Sequence, residues 1–372
     1  MRTGLYFSVE RLPGQTAREV YEAVLAQAAM ADELGFDSLF LAEAHFQHER
    51  PAPSVQTLLA ALAVSTVGLR LGAAGKVLPL DSPVRVAEDF AVIDLMSNGR
   101  LIFGAAAGDD PDAFRVHHVP FAEREDRFRE ALDLILHAWT ADAFRYAGRF
   151  FEFPAGAKPS EQNSERFSPV PPPDPYPVPW KRAGQKAAGL PVLPKPVQFP
   201  HPPVWRHGSN EEEARFAAAR GLTFLPPPFI SIDRAERLLF ASRTAIDEAC
   251  RDLREVEVPL IREVFVAEDE ARAEAVARGP MMDLYGRAQA DGRLARWEGR
   301  PIEPGELSWE ALRSTRVVVG GVEEVTTRLR EIQTRLGVRH ILCHMSVPGI
   351  PPAEISAAMR LFQAEVWTRL QG

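Results

Sequence analysis

The sequence predicts an α/β fold of the (β/α)8 type, a TIM barrel, with a proline-rich insertion between strands 4 and 5. Short β-branched and aromatic runs alternate along the chain with longer amphipathic runs, and eight strand-like runs are each followed by a helical run. Eight strands that alternate with helices favour a parallel barrel over an open sheet. The length of 372 residues fits one barrel with an insertion, so we predict a single domain over residues 1–372.

The first half of the chain contains four predicted strand–helix pairs. The strands are predicted at residues 5–9, 37–41, 70–74 and 101–105, and the helices at residues 16–34, 55–64, 83–96 and 123–139. Thr16 and Glu19 have the spacing of a capping box, which indicates the start of the first helix. Pro83 falls in the first turn of the third helix, where proline is tolerated because that amide has no helical partner.

The second half resumes this alternation after a proline-rich segment. Its strands are predicted at residues 203–207, 222–225, 260–266 and 338–343, and its helices at residues 210–220, 233–253, 268–288, 322–336 and 352–370. Residues 154–203 contain clustered prolines, which forbid a regular helix or a central strand. Because a loop of this length in a compact domain is usually functional, we predict that residues 154–203 form a lid or a dimer arm.

Composition and charge exclude several classes of protein. The net charge of −8 argues against the basic face that nucleic-acid binding needs. The two cysteines, Cys250 and Cys343, form neither a disulfide framework nor a metal-ligand pattern, and no metal site is predicted. The most apolar stretch, residues 58–75, is interrupted by polar residues, so no membrane span is predicted. The first residues lack the regions of a signal peptide, and we expect a cytoplasmic protein.

Two residues after the second predicted strand are candidates for acid–base chemistry. A barrel of this kind carries its working residues at the carboxyl ends of its strands, and Glu43 and His45 lie there. Histidine titrates near neutrality, which makes His45 the best candidate for moving a proton. The alternative, that His45 only hydrogen-bonds Glu43 or the backbone and supports the strand end, stays open.

The segment after the fifth predicted strand is a candidate anion site. Gly208 lets backbone amides face outward, and Ser209 and Glu212 have capping-box spacing at the start of a helix. Outward amides and the helix dipole together favour a phosphate group. The alternative is an ordinary capped helix without a ligand. The sequence contains neither a dinucleotide-binding glycine motif nor a Walker loop, so no integral nicotinamide domain is expected.

Several segments, in the expected order, resemble bacterial luciferase and its relatives. They are residues 35–46 (GFDSLFLAEAHF), 78–89 (LPLDSPVRVAED), 93–104 (IDLMSNGRLIFG), 194–198 (PKPVQ) and 202–205 (PPVW). The resemblance covers nearly the whole chain except the proline-rich insertion. By this resemblance the chain is identified as a member of the bacterial luciferase-like flavin-dependent monooxygenase superfamily.

The resemblance implies a function, a cofactor and partners. It implies a monooxygenase that uses reduced FMN and O2 on a small organic substrate, with the FMN supplied by a separate flavin reductase, and it implies a homodimer. In some branches the cofactor is the deazaflavin F420. The cofactor-binding positions that it implies are Ala74, Gly75, Ala106, Gly208, Ser209 and Asn210. Ala74–Gly75 matches a non-proline cis peptide that supports the isoalloxazine ring, and the last three match the start of a phosphate-binding helix.

Three positions depart from the pattern of that superfamily. Ala44 stands where the first of two adjacent histidines is usual, and Ala106 and Ala107 stand where luciferase has a reactive cysteine and a phosphate-binding arginine. Asp109 and Asp110 follow at once and would repel a phosphate if they pointed inward. Two alternatives to an FMN monooxygenase therefore remain: an F420-dependent oxidoreductase of the same fold, and a non-catalytic luciferase-like subunit.

Overall fold

The computed structural model describes residues 1–154, 189–252 and 256–371. Backbone contacts divide the chain into two units. The first unit comprises residues 1–76, 102–105 and 204–372, and the second comprises residues 77–101 and 106–203. The single-domain organisation predicted from the sequence remains a prediction. No helix among the described residues is long and apolar enough to cross a membrane.

A parallel sheet organises the first unit. In sheet order its strands are β11 (Val318–Gly321), β10 (Pro259–Ala267), β12 (His340–His344), β1 (Arg2–Phe7), β2 (Ser38–Leu41), β3 (Arg70–Ala73), β5 (Leu101–Ala106), β8 (Val204–His207) and β9 (Thr223–Leu225). The register places Leu5 opposite both Leu39 and Cys343 in parallel pairs. All eight predicted strands are present. The strand β11 was not predicted, because only two of its four residues are apolar and its other two, Gly320 and Gly321, are typical of a turn.

The inner side chains of this sheet meet in one apolar cluster. Every one of the eight predicted strands, or the residue just after it, contributes to the cluster, whose members are Tyr6, Phe40, Ala42, Ala74, Ile102, Trp205, Leu225, Ile261 and Leu342. The rings of Phe40 and Trp205 stack with their centroids 4.6 Å apart. Side chains of all strands that fill one interior are typical of a barrel core. The predicted α/β barrel class is confirmed.

Helices cover the outside of the strands in the first unit. They are α1 (Ala17–Glu33), α2 (Val55–Ser65), α6 (Glu211–Ala219), α7 (Ile232–Glu248), α8 (Glu270–Ala290), α9 (Arg293–Glu298), α10 (Trp309–Thr315), α11 (Val322–Leu336), α12 (Pro352–Leu361) and α13 (Thr368–Gln371). A π-helical turn, Phe362–Trp367, joins the last two. The capping box of Thr16 and Glu19 is formed as predicted. The short helices α9 and α10 were not predicted.

The predicted helix over residues 233–253 is too long. Helix α7 ends at Glu248, and Cys250 adopts a left-handed φ of 52°. The amide of Arg251 then donates to the carbonyl oxygen of Ile246 at 3.1 Å. This bond closes the last turn as in a Schellman motif. The left-handed position of that motif is usually glycine, so a cysteine there did not predict the end of the helix.

The second unit contains the remaining described elements. They are β4 (Lys76–Val77, of which Val77 lies in this unit), α3 (Pro83–Met96), α4 (Pro111–Val116), α5 (Arg124–Thr140), β6 (Tyr146–Ala147) and β7 (Glu152–Phe153). Helices α3 and α5 are joined by the indole of Trp139, which donates to the carbonyl oxygen of Ala87 at 2.9 Å. The segment 189–203 is held to the same unit, because Nε2 of Gln198 donates to Oδ1 of Asp94 at 2.7 Å and the backbone amide of Gln198 donates to Oδ2 at 3.0 Å.

The proline-rich insertion predicted at residues 154–203 falls largely on residues 155–188, which lie outside the described residues. Its described end is fixed within the second unit by the ammonium of Lys195, which donates to the carbonyl oxygen of Ala141 at 2.7 Å. The assignment of the insertion as a lid or a dimer arm stays a prediction.

Candidate active site

Glu43 is the centre of a buried ionic cluster at the exits of β2 and β3. Its side chain is fully buried, and its Oε1 atom accepts from Nε2 of His45 at 2.8 Å and from Nζ of Lys76 at 3.1 Å. Lys76 is almost as buried, and the imidazole of His45 retains 12% exposure. A buried carboxylate is stable when it is both paired and hydrogen-bonded, which this arrangement provides. Both catalytic candidates from the sequence therefore lie in direct contact, and Lys76 joins them.

A cavity of about 370 Å³ opens at the loop that follows β2. Ala44, Phe46, His48 and Arg50 contribute to its walls. Because residue 44 carries only a methyl group, the cavity extends where the resemblance places a histidine ring. The loop around it is held by the hydroxyl of Tyr21, which donates to the carbonyl oxygen of Pro51 at 2.6 Å. The cavity offers room for a small molecule near His45.

Three bulky residues just after strands adopt a left-handed backbone. Val9 after β1, Phe46 after β2 and Phe229 after β9 have φ values of 53°, 56° and 66°. Such values are outliers for β-branched and aromatic residues, and they concentrate at functional sites because the surrounding structure has to maintain them. The side chain of Phe46 is 64% exposed, so apolar burial does not explain its conformation. All three lie in segments that follow the carboxyl ends of strands in the first unit.

The peptide bond between Ala74 and Gly75 is cis, as the resemblance implied. A Cβ atom added to Gly75 would lie 3.1 Å from the backbone of Ala105 and 3.2 Å from the Cβ atom of His207. The backbone at this position is therefore packed directly against the ends of β5 and β8. Only glycine fits there without moving a neighbouring strand.

Ala106 and Ala107 lie at the end of β5 and are both buried. Their small side chains present no polar group for a ligand. Asp110, whose charge would repel a phosphate if it pointed inward, accepts from the amide of Asp112 at 3.0 Å and caps α4. Its carboxylate is therefore bonded to the start of that helix.

The capping prediction at the start of α6 was wrong by one residue. The N-cap is Asn210, and its partner is Glu213, not Ser209 with Glu212. The side-chain oxygen of Asn210 accepts from the amide of Glu213 at 3.0 Å. In return, Oε2 of Glu213 accepts from the amides of Ser209 at 2.6 Å and Asn210 at 3.3 Å. The outward amides predicted for a phosphate are thus bonded to a carboxylate of the same helix.

Two buried arginines complete the charge balance at this helix start. Arg206 is 1% exposed and its Nη2 atom lies 3.2 Å from Oε1 of Glu213. Arg234 forms an ion pair with Glu211, and its Nη2 atom donates to the carbonyl oxygen of Ser209 at 2.7 Å. Each arginine is therefore paired with a glutamate of the first turn of α6, which is the usual way in which a buried charge is tolerated.

Sequence reasoning missed a chain of buried polar groups between β1, β12, β10 and α8. The hydroxyl of Ser8 lies 3.1 Å from Nε2 of His344, and Nδ1 of His344 lies 3.4 Å from Oε1 of Glu263. The hydroxyl of Tyr285 donates to Oε2 of Glu263 at 2.7 Å. Burial and the neighbouring Glu263 raise the pKa of Tyr285, so the phenol keeps the proton that it donates. The signal was a glutamate inside the apolar run of β10.

The described residues hold no group of three or more His, Cys, Asp or Glu side chains that could bind a metal ion.

A family model described as luciferase-like monooxygenase matches residues 1–340. The chain belongs to this family. The resemblance inferred from its sequence segments is confirmed, and this luciferase-like monooxygenase is an oxidoreductase.

Similar proteins agree with this membership. The oxygenase component of a flavin-dependent trigonelline monooxygenase from Acinetobacter baylyi is 25% identical over 89% of this chain and 85% of its own length. Among solved structures, the monooxygenase RslO1 from Streptomyces bottropensis has a TM-score of 0.79 at 23% identity and covers 99% of both chains. The oxygenating constituent of 3,6-diketocamphane monooxygenase from Pseudomonas putida, solved with FMN, has a TM-score of 0.77 at 22% identity, over 100% of this chain and 99% of that one.

The residues of this luciferase-like monooxygenase suit one end of FMN better than the other. The cavity beside Ala44 lies in the loop after β2 and offers space in which a ring system can lie. The phosphate end does not fit the residues as they stand. The amides of Ser209 and Asn210 are bonded to Glu213, and the first turn of α6 carries three glutamates.

Proposed function

We propose that this chain is the oxygenase of a two-component, flavin-dependent monooxygenase. It inserts one atom of O2 into a small organic substrate while the other atom leaves as water. The two electrons come from a reduced flavin that a separate flavin reductase supplies. Family membership and the named trigonelline relative support this class of reaction. The observation that carries the proposal is the buried Glu43–His45–Lys76 cluster. In sequence, Glu43 and His45 flank Ala44, which lies in the wall of the cavity.

The role that we assign to His45 is to move a proton at the edge of the cavity. Its Nε2 atom is bonded to Glu43, so the orientation of the ring is fixed by a buried carboxylate. Lys76 holds Glu43 in place and balances its charge, which is a positioning role. General acid–base catalysis of this kind contributes roughly 10²–10⁴-fold to a rate.

Titration of the purified chain with oxidised FMN, riboflavin and F420, followed by flavin fluorescence, tests the cofactor class. We expect binding of an isoalloxazine flavin and, with a flavin reductase and NADH, substrate-dependent consumption of O2. Preferential binding of F420 would instead support the F420-dependent alternative. Binding of no flavin, with stable association to a catalytic homologue, would support the non-catalytic subunit and overturn the proposal.

The variant His45→Gln tests the catalytic assignment. We expect its kcat to fall at least a hundredfold while flavin affinity stays within about threefold, since the residue moves a proton and Glu43 and Lys76 remain in place. His117→Gln, at an exposed histidine of the second unit, is the matched control and should retain full activity. An unchanged kcat in His45→Gln would remove His45 from the mechanism.

The proposal also includes a homodimer located in the cytoplasm. Light scattering after size-exclusion chromatography measures the mass of the particle, and a value near twice 41.2 kDa is expected. A monomer at micromolar concentration would contradict the dimer.

A further inference from the structure

We propose that Glu213 excludes the phosphate group of FMN from the start of α6, so that the chain binds riboflavin, the flavin without that phosphate, at least as tightly as FMN. This inference deepens the proposed function and rests on it. It assigns Glu213 as a specificity-determining residue.

The first argument is geometric. The amides of Ser209 and Asn210 lie where the sequence predicted donors for a phosphate, and both already donate to Oε2 of Glu213, at 2.6 and 3.3 Å. A hydrogen bond from a backbone amide to a carboxylate is charge-assisted and roughly twice as strong as a neutral one. A phosphate can therefore bind these amides only by displacing the carboxylate.

The second argument is the charge of the surroundings. The buried guanidinium of Arg206 is paired with Oε1 of Glu213, so displacing that carboxylate also breaks a buried ion pair. Breaking such a pair from one side is unfavourable because the remaining charge stays buried. The second buried cation, Arg234, is paired with Glu211. Both cations next to the helix start are thus balanced by carboxylates of the chain itself.

The third argument concerns the helix dipole. The positive end of a helix favours one nearby anion, and the first turn of α6 contains Glu211, Glu212 and Glu213. A phosphate monoester adds a charge of about −1.5 to −2 at neutral pH. Its approach to three carboxylates within one turn is repulsive, and the repulsion is weakest for a flavin whose ribityl chain ends in a hydroxyl group.

Paired titrations with oxidised FMN and riboflavin, followed by flavin fluorescence, test the inference on the full chain. We expect the wild-type ratio of Kd for FMN to Kd for riboflavin to be one or more. In Glu213→Gln the side chain keeps its shape and loses its charge. The Kd for FMN should then fall at least tenfold, and the Kd for riboflavin should stay within twofold.

Glu212→Gln is the matched control, because it removes the same charge from an exposed position in the same turn. It should change the Kd for FMN by less than threefold. If Glu213→Gln does not fold, the wild-type ratio and the variant Glu213→Ser still test the inference.

The outcomes separate this inference from the proposed function. A wild-type protein that binds FMN tenfold more tightly than riboflavin, or an unchanged FMN affinity in Glu213→Gln, overturns the inference and leaves the proposed function standing. Binding of neither flavin by the wild type or the variants overturns both.

Discussion

Replacing Glu43 by glutamine should destabilise the protein, because Glu43 is the only acidic member of its buried cluster with His45 and Lys76. The carboxylate is fully buried and lies 3.1 Å from an ammonium group that is 3% exposed. Removing one partner of such a pair costs about 3–5 kcal/mol, since the other charge stays buried. Glutamine retains an acceptor oxygen for His45, so we expect a loss of about 3 kcal/mol in the free energy of unfolding.

A double-mutant cycle with Lys76→Met isolates the ionic part of this effect. The single variant Lys76→Met should also lose about 3 kcal/mol, and the double variant about 4 instead of 6 kcal/mol, a coupling of about 2 kcal/mol. Urea unfolding, followed by circular dichroism, measures all four proteins. Glu22→Gln removes one partner of the exposed pair of Arg18 and Glu22 and should change stability by less than about 0.5 kcal/mol. Additive losses at Glu43 and Lys76 would refute the reasoning.

Three further predictions concern stability. Tyr285→Phe removes the hydroxyl that donates to buried Glu263 at 2.7 Å and should cost about 1–3 kcal/mol in urea unfolding; no change would show that the bond is dispensable. Gly104→Ala places a Cβ atom 1.6 Å from a carbonyl oxygen of β3, so a loss of about 3 kcal/mol or failure to fold is expected, and a wild-type unfolding midpoint would contradict this close approach. The bidentate Arg300 guanidinium lowers the pKa of Glu306 to about 2. The pair's stabilisation is present above the unfolded pKa of about 4.3 and is lost as pH falls towards 2. Between these pH values the wild type should lose more free energy of unfolding than Glu306→Gln. Because the pair is partly exposed, the difference should be at most about 1 kcal/mol, and parallel pH profiles of the two proteins would contradict the assignment.

The order of strands and helices was predictable because strand-like runs and amphipathic helical runs alternate regularly along the sequence. Pro83 at a first helical turn and the apolar spacing before Gly337 gave the bounds of α3 and α11 as the structure has them. The strand β11 and the end of α7 at Glu248 were not predictable in the same way. The strand β11 depends on its pairing with β10. The end of α7 depends on the left-handed conformation of Cys250, which a cysteine does not predict.

The site was predictable only where its residues are close in sequence. Glu43 and His45 were found because they follow one strand, and the structure joins them directly. The chain from Ser8 through His344 and Glu263 was missed because its members come from distant segments, and each residue alone is a common polar residue near a strand end. Sequence spacing carries no information about a contact that only the pairing of distant strands creates.

The start of α6 shows how one residue of register changes the chemistry expected of a site. With Ser209 as the N-cap, the amides of the loop would point outward with Glu212 as the capping partner, and a phosphate would have donors. With Asn210 as the N-cap, the carboxylate that returns to the loop belongs to Glu213, and it bonds the amides of both Ser209 and Asn210. One residue along a helix is a rotation of about 100°, so the shift decides which side chain faces the loop and which faces solvent. The cofactor selectivity that we propose for this helix therefore follows from the position of its first turn, which residue types alone did not determine.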